Sequence, residues 1–423
     1  MDIKSVLSKN LNIDELTGDS LRKSIVHYIG TLADDKKRRI NREIAHCVIK
    51  TMKNAGNQKD LTGTEKTTSL QNTNVLAINH AGPLDVTLEW KTDPAGKLEL
   101  LKYHIDSGGD QVNVSKVFSH FKKNIALVAL SGKENGEITA EWERNFSSAC
   151  IFLSLIPSSP EDQQVALYNI VDGNQLSAMH GWSDELSPET VENINRKTLM
   201  VLESMFKENP KNIWMLLSAG GPIRYNGDLA YYASLIKRVK AKYHDKLKLL
   251  IDFKYVSGPE EAMSVLEIPR ETPQDIIKPN KEEFIQILIS SGLMEARLLN
   301  ENTITEEDIK KYAVKLRKKY NLLGVLVSMD ETGLMLVLPD RIIREQGIKI
   351  KLACHTAAGD SLKAGFVYAL SSGRSFEEAV HTGNLFGATT ASMEGSKTVT
   401  PEKLAEIETL ARTQNISPKT IPF

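Results

Sequence analysis

From about residue 75 onwards, short apolar runs alternate with longer segments of helical periodicity, and this alternation constrains the fold more than any other feature. The apolar runs lie at 75–78, 125–130, 149–155, 213–218, 247–252, 322–328 and 348–354. Helical periods lie between the later runs, at 189–207, 226–243, 281–292, 305–319 and 361–371. Strands that alternate with helices predict an α/β fold in which helices cover both faces of a mostly parallel sheet.

Two stretches, at roughly 75–115 and 163–180, show strand patterns without helices between them. We expect them to form a small antiparallel sheet attached to the α/β body. The first 72 residues differ again, because two amphipathic helical patterns are followed by a polar linker at 55–74. The predicted organisation is therefore an N-terminal helical extension with its linker (1–72) and a main domain (73–423).

The composition limits the kinds of partner and the cellular compartment that we expect for this protein. The 53 Lys and Arg residues nearly balance the 54 Asp and Glu residues, which removes the electrostatic argument for a nucleic-acid partner. No apolar run approaches the roughly 18–20 residues that cross a bilayer, and the start MDIKSVLSKN lacks the apolar segment of a secretory signal. Three widely separated cysteines fit a reducing compartment. We expect a cytoplasmic protein without a membrane or nucleic-acid partner.

The turn HTAAGD (355–360) is the most informative local feature. An alternating run precedes it and a helical period follows it, so the predicted order is strand, turn and helix. Backbone N–H groups of Ala358, Gly359 and Asp360 at a helix start favour an anion. Asp360 beside a phosphate could accept a proton from an attacking hydroxyl. The same residues also fit an ordinary capped turn, since Asp is a favoured helix cap and Ala-Gly suits a tight turn.

Six segments, in the expected order, resemble motifs of the ribokinase / phosphofructokinase-B (PfkB) carbohydrate kinases, and in particular their 1-phosphofructokinase and tagatose-6-phosphate kinase branch. TAAGDSLKAGFVYAL (356–370) is similar to TxGAGDxFxxGF. The other segments are NHAGPLDVT (79–87, like NPAxD), SGGDQVNVSKVFSHF (107–121, like GGKGxNVAxxLxxL), LSAGGPI (217–223, like SGSLPPG), IIKPNKEEF (276–284, like IKPNxxEL) and VSMDETGLMLV (327–337, like VSLGxxGALLV). Over 73–423 the resemblance implies a ribokinase-like three-layer α/β/α sandwich with a small β-sheet lid, whose strands lie at roughly 80–107 and 163–180.

The resemblance also implies roles for individual residues in an ATP- and Mg²⁺-dependent phosphoryl transfer. Asp360 corresponds to the catalytic base that deprotonates the acceptor hydroxyl. The implied anion hole consists of Ala357, Ala358 and Gly359. Asn280 and Glu283 correspond to the pair that organises Mg²⁺, largely through water. Taken alone, Glu283 also fits an exposed carboxylate in the first turn of a helix.

For the acceptor, Asp85 corresponds to the aspartate that binds sugar hydroxyl groups, and it also fits a surface turn. The implied substrate loop consists of Gly108, Gly109, Asp110 and Asn113. For the nucleotide, Ser328 and Gly333 correspond to a flanking loop. The helical segment 381–393 corresponds to the small-residue helix beside the adenine, and it fits plain helix packing equally well.

Three departures from the family motifs bear on activity. GAGD has become AAGD, which would cost roughly 1–2 kcal/mol if Ala357 had to adopt a left-handed conformation. SLGxxG has become SMDETG, which places Asp330 near the implied nucleotide. GGK has become GGD, so that Asp110 stands where the branch has a lysine for the substrate phosphate. An ion pair at about 4 Å is worth about 4 kcal/mol at an effective dielectric constant of 20, so this exchange disfavours a phosphorylated sugar.

The leading hypothesis is therefore a phosphofructokinase-like, ATP-dependent sugar kinase, with a sugar or a sugar phosphate as acceptor. Positive charge from Lys102, Lys116 or Arg224 would favour the sugar phosphate. Without it, Asp110 suits a neutral polyol or an amino group, unless its carboxylate is turned outward. The alternatives are a non-catalytic sugar- or nucleotide-binding paralogue and a scaffold that recruits a partner through residues 1–72. By resemblance we also expect a homodimer.

Overall fold

Strands and helices alternate as predicted along most of the chain, in this computed structural model. The structure describes residues 70, 72–79, 84–92, 98–107, 109–131, 151–157, 166–172, 175–180, 188–208, 213–219, 230–253, 263, 265–268, 273–295, 303–394 and 397–423. The predicted N-terminal helices and the substrate-loop residue Gly108 lie outside these residues.

Ten strands form the main sheet, in the order β14-β13-β12-β11-β10-β9-β8-β1-β4-β5. They are β1 (Val75–Asn79), β4 (Ile125–Ser131), β5 (Ile151–Pro157), β8 (Ile213–Ala219), β9 (Leu247–Phe253), β10 (Ile276–Lys278), β11 (Gly324–Ser328), β12 (Gly333–Val337), β13 (Arg341–Gln346) and β14 (Lys419–Pro422). Every pair from β11 to β5 is parallel, and the pairs from β11 to β14 are antiparallel. The predicted mostly parallel sheet is confirmed.

Eight of the described segments are α-helices: α1 (Asp110–His120), α2 (Pro188–Glu208), α3 (Ala230–Tyr243), α4 (Lys281–Ser290), α5 (Glu306–Lys319), α6 (Ala358–Ser371), α7 (Phe376–Ala391) and α8 (Pro401–Thr413). Apolar residues of α1, α6, α7 and α8 pack on one face of the main sheet, and those of α2 to α5 pack on the other. Alternate β1 residues contribute to each core, with Val75 on one side and Leu76 on the other. The predicted three-layer α/β/α arrangement follows from this packing.

A second sheet has the order β3-β2-β6-β7 and consists of β2 (Leu84–Thr92), β3 (Leu98–Ser107), β6 (Ala166–Asp172) and β7 (Gln175–His180). Its outer pairs are antiparallel, but β2 and β6 are parallel. A purely antiparallel sheet was therefore the wrong expectation. The reason is the long connection from β3 to β6, which contains α1 and the main-sheet strands β4 and β5. After it, β6 runs alongside β2 in the same direction.

The segment 348–354 is not a strand, although its alternation predicted one. Lys349 exchanges backbone hydrogen bonds with the side chain of Gln414, and the N–H groups of Ala353 and Cys354 both donate to the carbonyl of Ala391. The backbone is thus satisfied by a side chain and a helix end instead of a neighbouring strand. Leu352, an apolar residue of this alternating run, is 51% exposed.

No helix among the described residues combines the length and the apolar character that a membrane crossing requires.

Candidate active site

The turn before α6 brings backbone donors and a lysine together. Ala357 precedes the helix in a left-handed conformation, with φ 63° and ψ 0°. The first N–H groups of α6 follow this turn, at the helix end where N–H groups have no intrahelical partner. The Ala358 N–H donates weakly to the carbonyl of His355 at 3.3 Å, and no backbone carbonyl of the described residues accepts from Gly359. A Cβ atom on Gly359 would lie 3.6 Å from Nζ of Lys278, so the ammonium group sits beside this turn.

Asp360 is buried directly after these donors, with 4% of its surface exposed. Its Oδ2 accepts a hydrogen bond of 2.9 Å from Nδ2 of Asn113, and its Oδ1 lies 3.6 Å from Nζ of Lys363. Asn113 lies on α1, far away in the chain. The predicted base and the predicted substrate-loop amide are therefore in direct contact.

Asp252 and Lys278 also belong to the site, although neither was predicted from the sequence. Asp252 lies near the end of β9 and Lys278 ends β10, two neighbouring parallel strands. Nζ of Lys278 lies 2.8 Å from Oδ1 of Asp252, and Nζ of Lys363 lies 2.9 Å from Oδ2 of the same carboxylate. A charged residue at the carboxyl end of an apolar strand marks the edge where α/β proteins bind ligands, and this signal was available in LKLLID and IIK.

Asp110 is turned towards this group, not outward. One of its carboxylate oxygens lies within 4.8 Å of carboxylate oxygens of Asp252 and Asp360. It is the first residue of α1, and Gly109 precedes it with φ 98°, a conformation that favours glycine. Of the cations that could offset its charge, Lys116 is buried on α1. Arg224 and the side chain of Lys102 lie outside the described part of the chain.

Three buried amide atoms on α1 and at the end of β1 have no hydrogen-bond partner among the described residues, and one of them belongs to Asn113, the partner of Asp360. They are Nδ2 of Asn79, Oε1 of Gln111 and Oδ1 of Asn113. Hydrogen bonds at other amide atoms fix the side chains of Asn79 and Gln111. The backbone N–H of Gln111 donates to Oδ1 of Asn79 at 3.4 Å, and the side-chain Nε2 of Gln111 donates to Oγ of Ser218 at 3.0 Å. Buried amides leave such atoms unsatisfied when a polar ligand completes the set.

Asn280 and Glu283 form a capping box at the start of α4. The Asn280 side chain accepts from the Glu283 N–H at 2.8 Å, and Oε2 of Glu283 accepts from the Asn280 N–H at 2.7 Å. Glu283 is buried, so its interpretation as an exposed carboxylate is wrong. The capping box uses the Asn280 side-chain oxygen and one carboxylate oxygen of Glu283, and the second carboxylate oxygen could bind Mg²⁺ directly or through water.

The predicted nucleotide loop lies beside this box. Ser328 ends β11 and forms a parallel bridge with Asn280. Gly333 has φ 109°, and a Cβ atom there would collide with the backbone carbonyl of Glu345. Asp330 is exposed, also at positive φ. Gly387 and Gly383 of α7 face Leu362 of α6 at close range, so helix packing explains the small residues of α7.

Two predicted acceptor residues have no described side-chain environment. Asp85 lies in β2 opposite Asp106 of β3, and Gly108 lies outside the described residues.

Known structures share this arrangement of strands. The chain aligns with phosphofructokinase-2 from Escherichia coli in complex with potassium at a TM-score of 0.65, covering 80% of this chain and 100% of that chain at 16% identity. A possible 1-phosphofructokinase from Thermotoga maritima gives 0.62 at 17% identity, covering 82% and 99%. Ribokinase from the same organism gives 0.57 at 18% identity, covering 79% and 99%. The chain has the ribokinase-like fold.

Similarity in sequence covers a smaller part of the chain than similarity in structure. Residues 260–403, which include Lys278, Asn280, Glu283 and Asp360, match the family model for the pfkB family carbohydrate kinases. The resemblance recognised from the motifs is confirmed over this segment. The bifunctional protein HldE of a Nitratiruptor species is 29% identical over 133 residues, which make up 31% of this chain and 26% of that protein. The chain thus spans about a quarter of the length of that curated relative.

Proposed function

We propose that this protein is an ATP-dependent sugar kinase that transfers the γ-phosphoryl group of Mg·ATP to a hydroxyl group of its acceptor. The kinase domain would span 73–423, apart from the extension 1–72. One observation carries the proposal: a buried carboxylate, Asp360, lies in the first turn of a helix directly after Gly359, beside which the ammonium group of Lys278 sits. A phosphoryl group held by these donors would stand beside a base within reach of the attacking hydroxyl.

In this proposal the positive and the negative groups of the site have different roles. Lys278 and the N–H groups at Ala358 and Gly359 neutralise the phosphoryl oxygens, whose charge rearranges as the bond to ADP breaks. Oδ2 of Asp360 accepts the hydroxyl proton while the hydroxyl oxygen attacks phosphorus and ADP leaves. Asn113 donates to the same oxygen and fixes its direction. Such positioning provides most of the rate enhancement in phosphoryl transfer.

Mg²⁺, when bound with ATP, supplies positive charge that offsets the phosphate oxygens. Asn280 and Glu283 would hold it through water. The remaining predicted contacts complete the assignment, with Ser328 and Gly333 beside the nucleotide and Asp85, Gly109 and Asn113 beside the sugar. The four-stranded sheet would cover the acceptor.

The acceptor is most simply an unphosphorylated polyhydroxy compound. A carboxylate oxygen of Asp110 lies within 4.8 Å of one of Asp360, the proposed base. A phosphate group of the acceptor next to Asp110 would therefore be repelled. The amide atoms of Asn79, Gln111 and Asn113 that have no partner in the described part of the chain offer both donors and acceptors, which matches hydroxyl groups.

A panel of acceptors tests this function. Purified full-length protein is incubated with Mg·ATP and one acceptor at a time, and ADP release is measured for free hexoses, free pentoses, nucleosides, fructose 6-phosphate and tagatose 6-phosphate. We expect release with an unphosphorylated acceptor and none above background with the sugar phosphates. Release with sugar phosphates alone would contradict the acceptor assignment. Nucleotide binding without turnover on any acceptor would contradict the kinase assignment.

A further inference from the structure

Lys363 is an unusual residue for the interior of a protein. Its side chain is 0% exposed, and it lies in α6 among the apolar residues Leu362, Ala364 and Phe366. Lysine is almost never fully buried unless its charge is paired, because removing an ammonium group from water is costly. The charge of Lys363 is therefore expected to be paired with the groups that it contacts.

Those contacts include two buried carboxylates of the candidate site. Nζ of Lys363 lies 2.9 Å from Oδ2 of Asp252 and 3.6 Å from Oδ1 of Asp360. Lys363 follows Asp360 by three residues in the same helix, so both side chains project from one face. Its ammonium group thus joins the carboxylate of β9 to that of α6.

The three carboxylates of the site have the spacing of a metal site. Asp110, Asp252 and Asp360 each place an oxygen within 4.8 Å of the other two. Carboxylates this close repel one another, and they stay ionised together only when a cation lies among them. Here the cations are part of the chain, because Lys278 and Lys363 contact opposite oxygens of Asp252.

We propose that Lys363 is the resident cation of this site: its ammonium group takes the place that a metal ion would take between Asp252 and Asp360. It acts through Asp360 as a positioning residue. By holding Oδ1 it leaves Oδ2, the oxygen shared with Asn113, to receive the acceptor proton. That last step rests on the proposed function, whereas the charge balance does not.

Mn²⁺ binding to the full-length protein, without nucleotide or acceptor, tests the charge balance. Free Mn²⁺ is measured by electron paramagnetic resonance for the wild type, Lys363→Met and Lys363→Arg. We expect Lys363→Met to gain one Mn²⁺ per chain, bound at least about tenfold more tightly than any wild-type binding at these carboxylates. Lys363→Arg keeps the charge and should gain none.

Two further variants control the measurement. Asp110→Asn combined with Lys363→Met should lose the gained ion. Lys240→Met removes a different lysine from the buried carboxylate of Asp275, where no carboxylate trio exists among the described residues, and should gain none. Equal Mn²⁺ binding by the wild type and Lys363→Met would overturn the proposal, as would a gained ion that survives in the double variant.

The test remains decisive if Lys363→Met does not fold. In that case Mn²⁺ at millimolar concentration should restore the folded state of Lys363→Met or of Lys363→Gln, because the ion replaces the missing charge. Failure of Mn²⁺ to restore either variant would overturn the proposal. Since neither readout uses ATP or acceptor, the failure of this proposal and that of the kinase assignment are distinguishable.

Discussion

At the scale of single residues, the backbone at Ala357 shows how a departure from the family motif is accommodated. The resemblance placed Ala357 where the family has glycine, and the structure gives it φ 63°. A residue with a Cβ atom is strained in this region, whereas glycine is not. The turn therefore keeps its shape at a cost in stability.

Replacing Ala357 with Gly should relieve this strain. The left-handed conformation costs roughly 1–2 kcal/mol for a residue with Cβ, and the added flexibility of glycine in the unfolded chain cancels part of the gain. We expect Ala357→Gly to raise the free energy of unfolding in urea by about 0.5–1 kcal/mol. Ala358→Gly, at a helical position, is the control and should lower it. A loss of stability in Ala357→Gly would show that the left-handed turn is not strained.

Residue types could be predicted in sequence, but their contacts could not. The motifs identified Asp360 and Asn113 separately, and only folding shows the 2.9 Å hydrogen bond between them. The role of Lys363 could not be predicted from the sequence either. In an apolar helical run a lysine is expected to reach solvent, and its burial depends on the carboxylates of Asp252 in β9 and Asp360 in α6.

At the scale of elements, the contact between β13 and α7 depends on one buried carboxylate. Nδ1 of His381 lies 2.7 Å from Oε1 of Glu345, and Nδ2 of Asn384 also donates to that oxygen. Glu345 is buried, and its Oε2 has no hydrogen-bond partner among the described residues. The hydrogen bond to Glu345 raises the pKa of His381 above its ordinary value of 6.5.

This pair should make stability depend on pH. A pKa raised by folding means that the protonated imidazole stabilises the folded state, fully below about 6.5 and progressively less as the pH rises through the folded pKa. We expect the difference in unfolding free energy between the wild type and His381→Gln to be largest near pH 5.5 and to shrink towards pH 8.5. In the Glu345→Gln background the difference should lose this pH dependence. A pH-independent difference in the wild-type background would contradict the assignment.

Element prediction succeeded where apolar runs were long and failed where local pattern competed with tertiary contacts. Strands β8 and β9 are mostly apolar and buried, and the bounds of each agree within one residue with the predicted run. The run at 348–354 alternates like a strand, but the edge position next to β13 is occupied by β14 from the end of the chain. Sequence alone gives no sign of which segment takes that edge.

At the scale of the whole molecule, the site exists because seven parallel strands place their carboxyl ends at one edge. Asp252 and Lys278 come from adjacent strands there, and the first turns of α1 and α6 bring Asp110 and Asp360 to them. The ribokinase-like fold was predictable from six motifs in order. The charge balance of the site was not, since it combines residues separated by more than 200 positions.

The central claim is that Asp360 removes the acceptor proton, and Asp360→Asn tests it most directly. With the best acceptor of the panel, kcat of this variant should fall about 10²–10⁴-fold, because the amide cannot accept the proton. Its thermal stabilisation by Mg·ATP should persist, since the phosphate donors remain. Asp340→Asn, at an exposed aspartate, should keep wild-type turnover. A kcat for Asp360→Asn within a few-fold of the wild type would contradict the account.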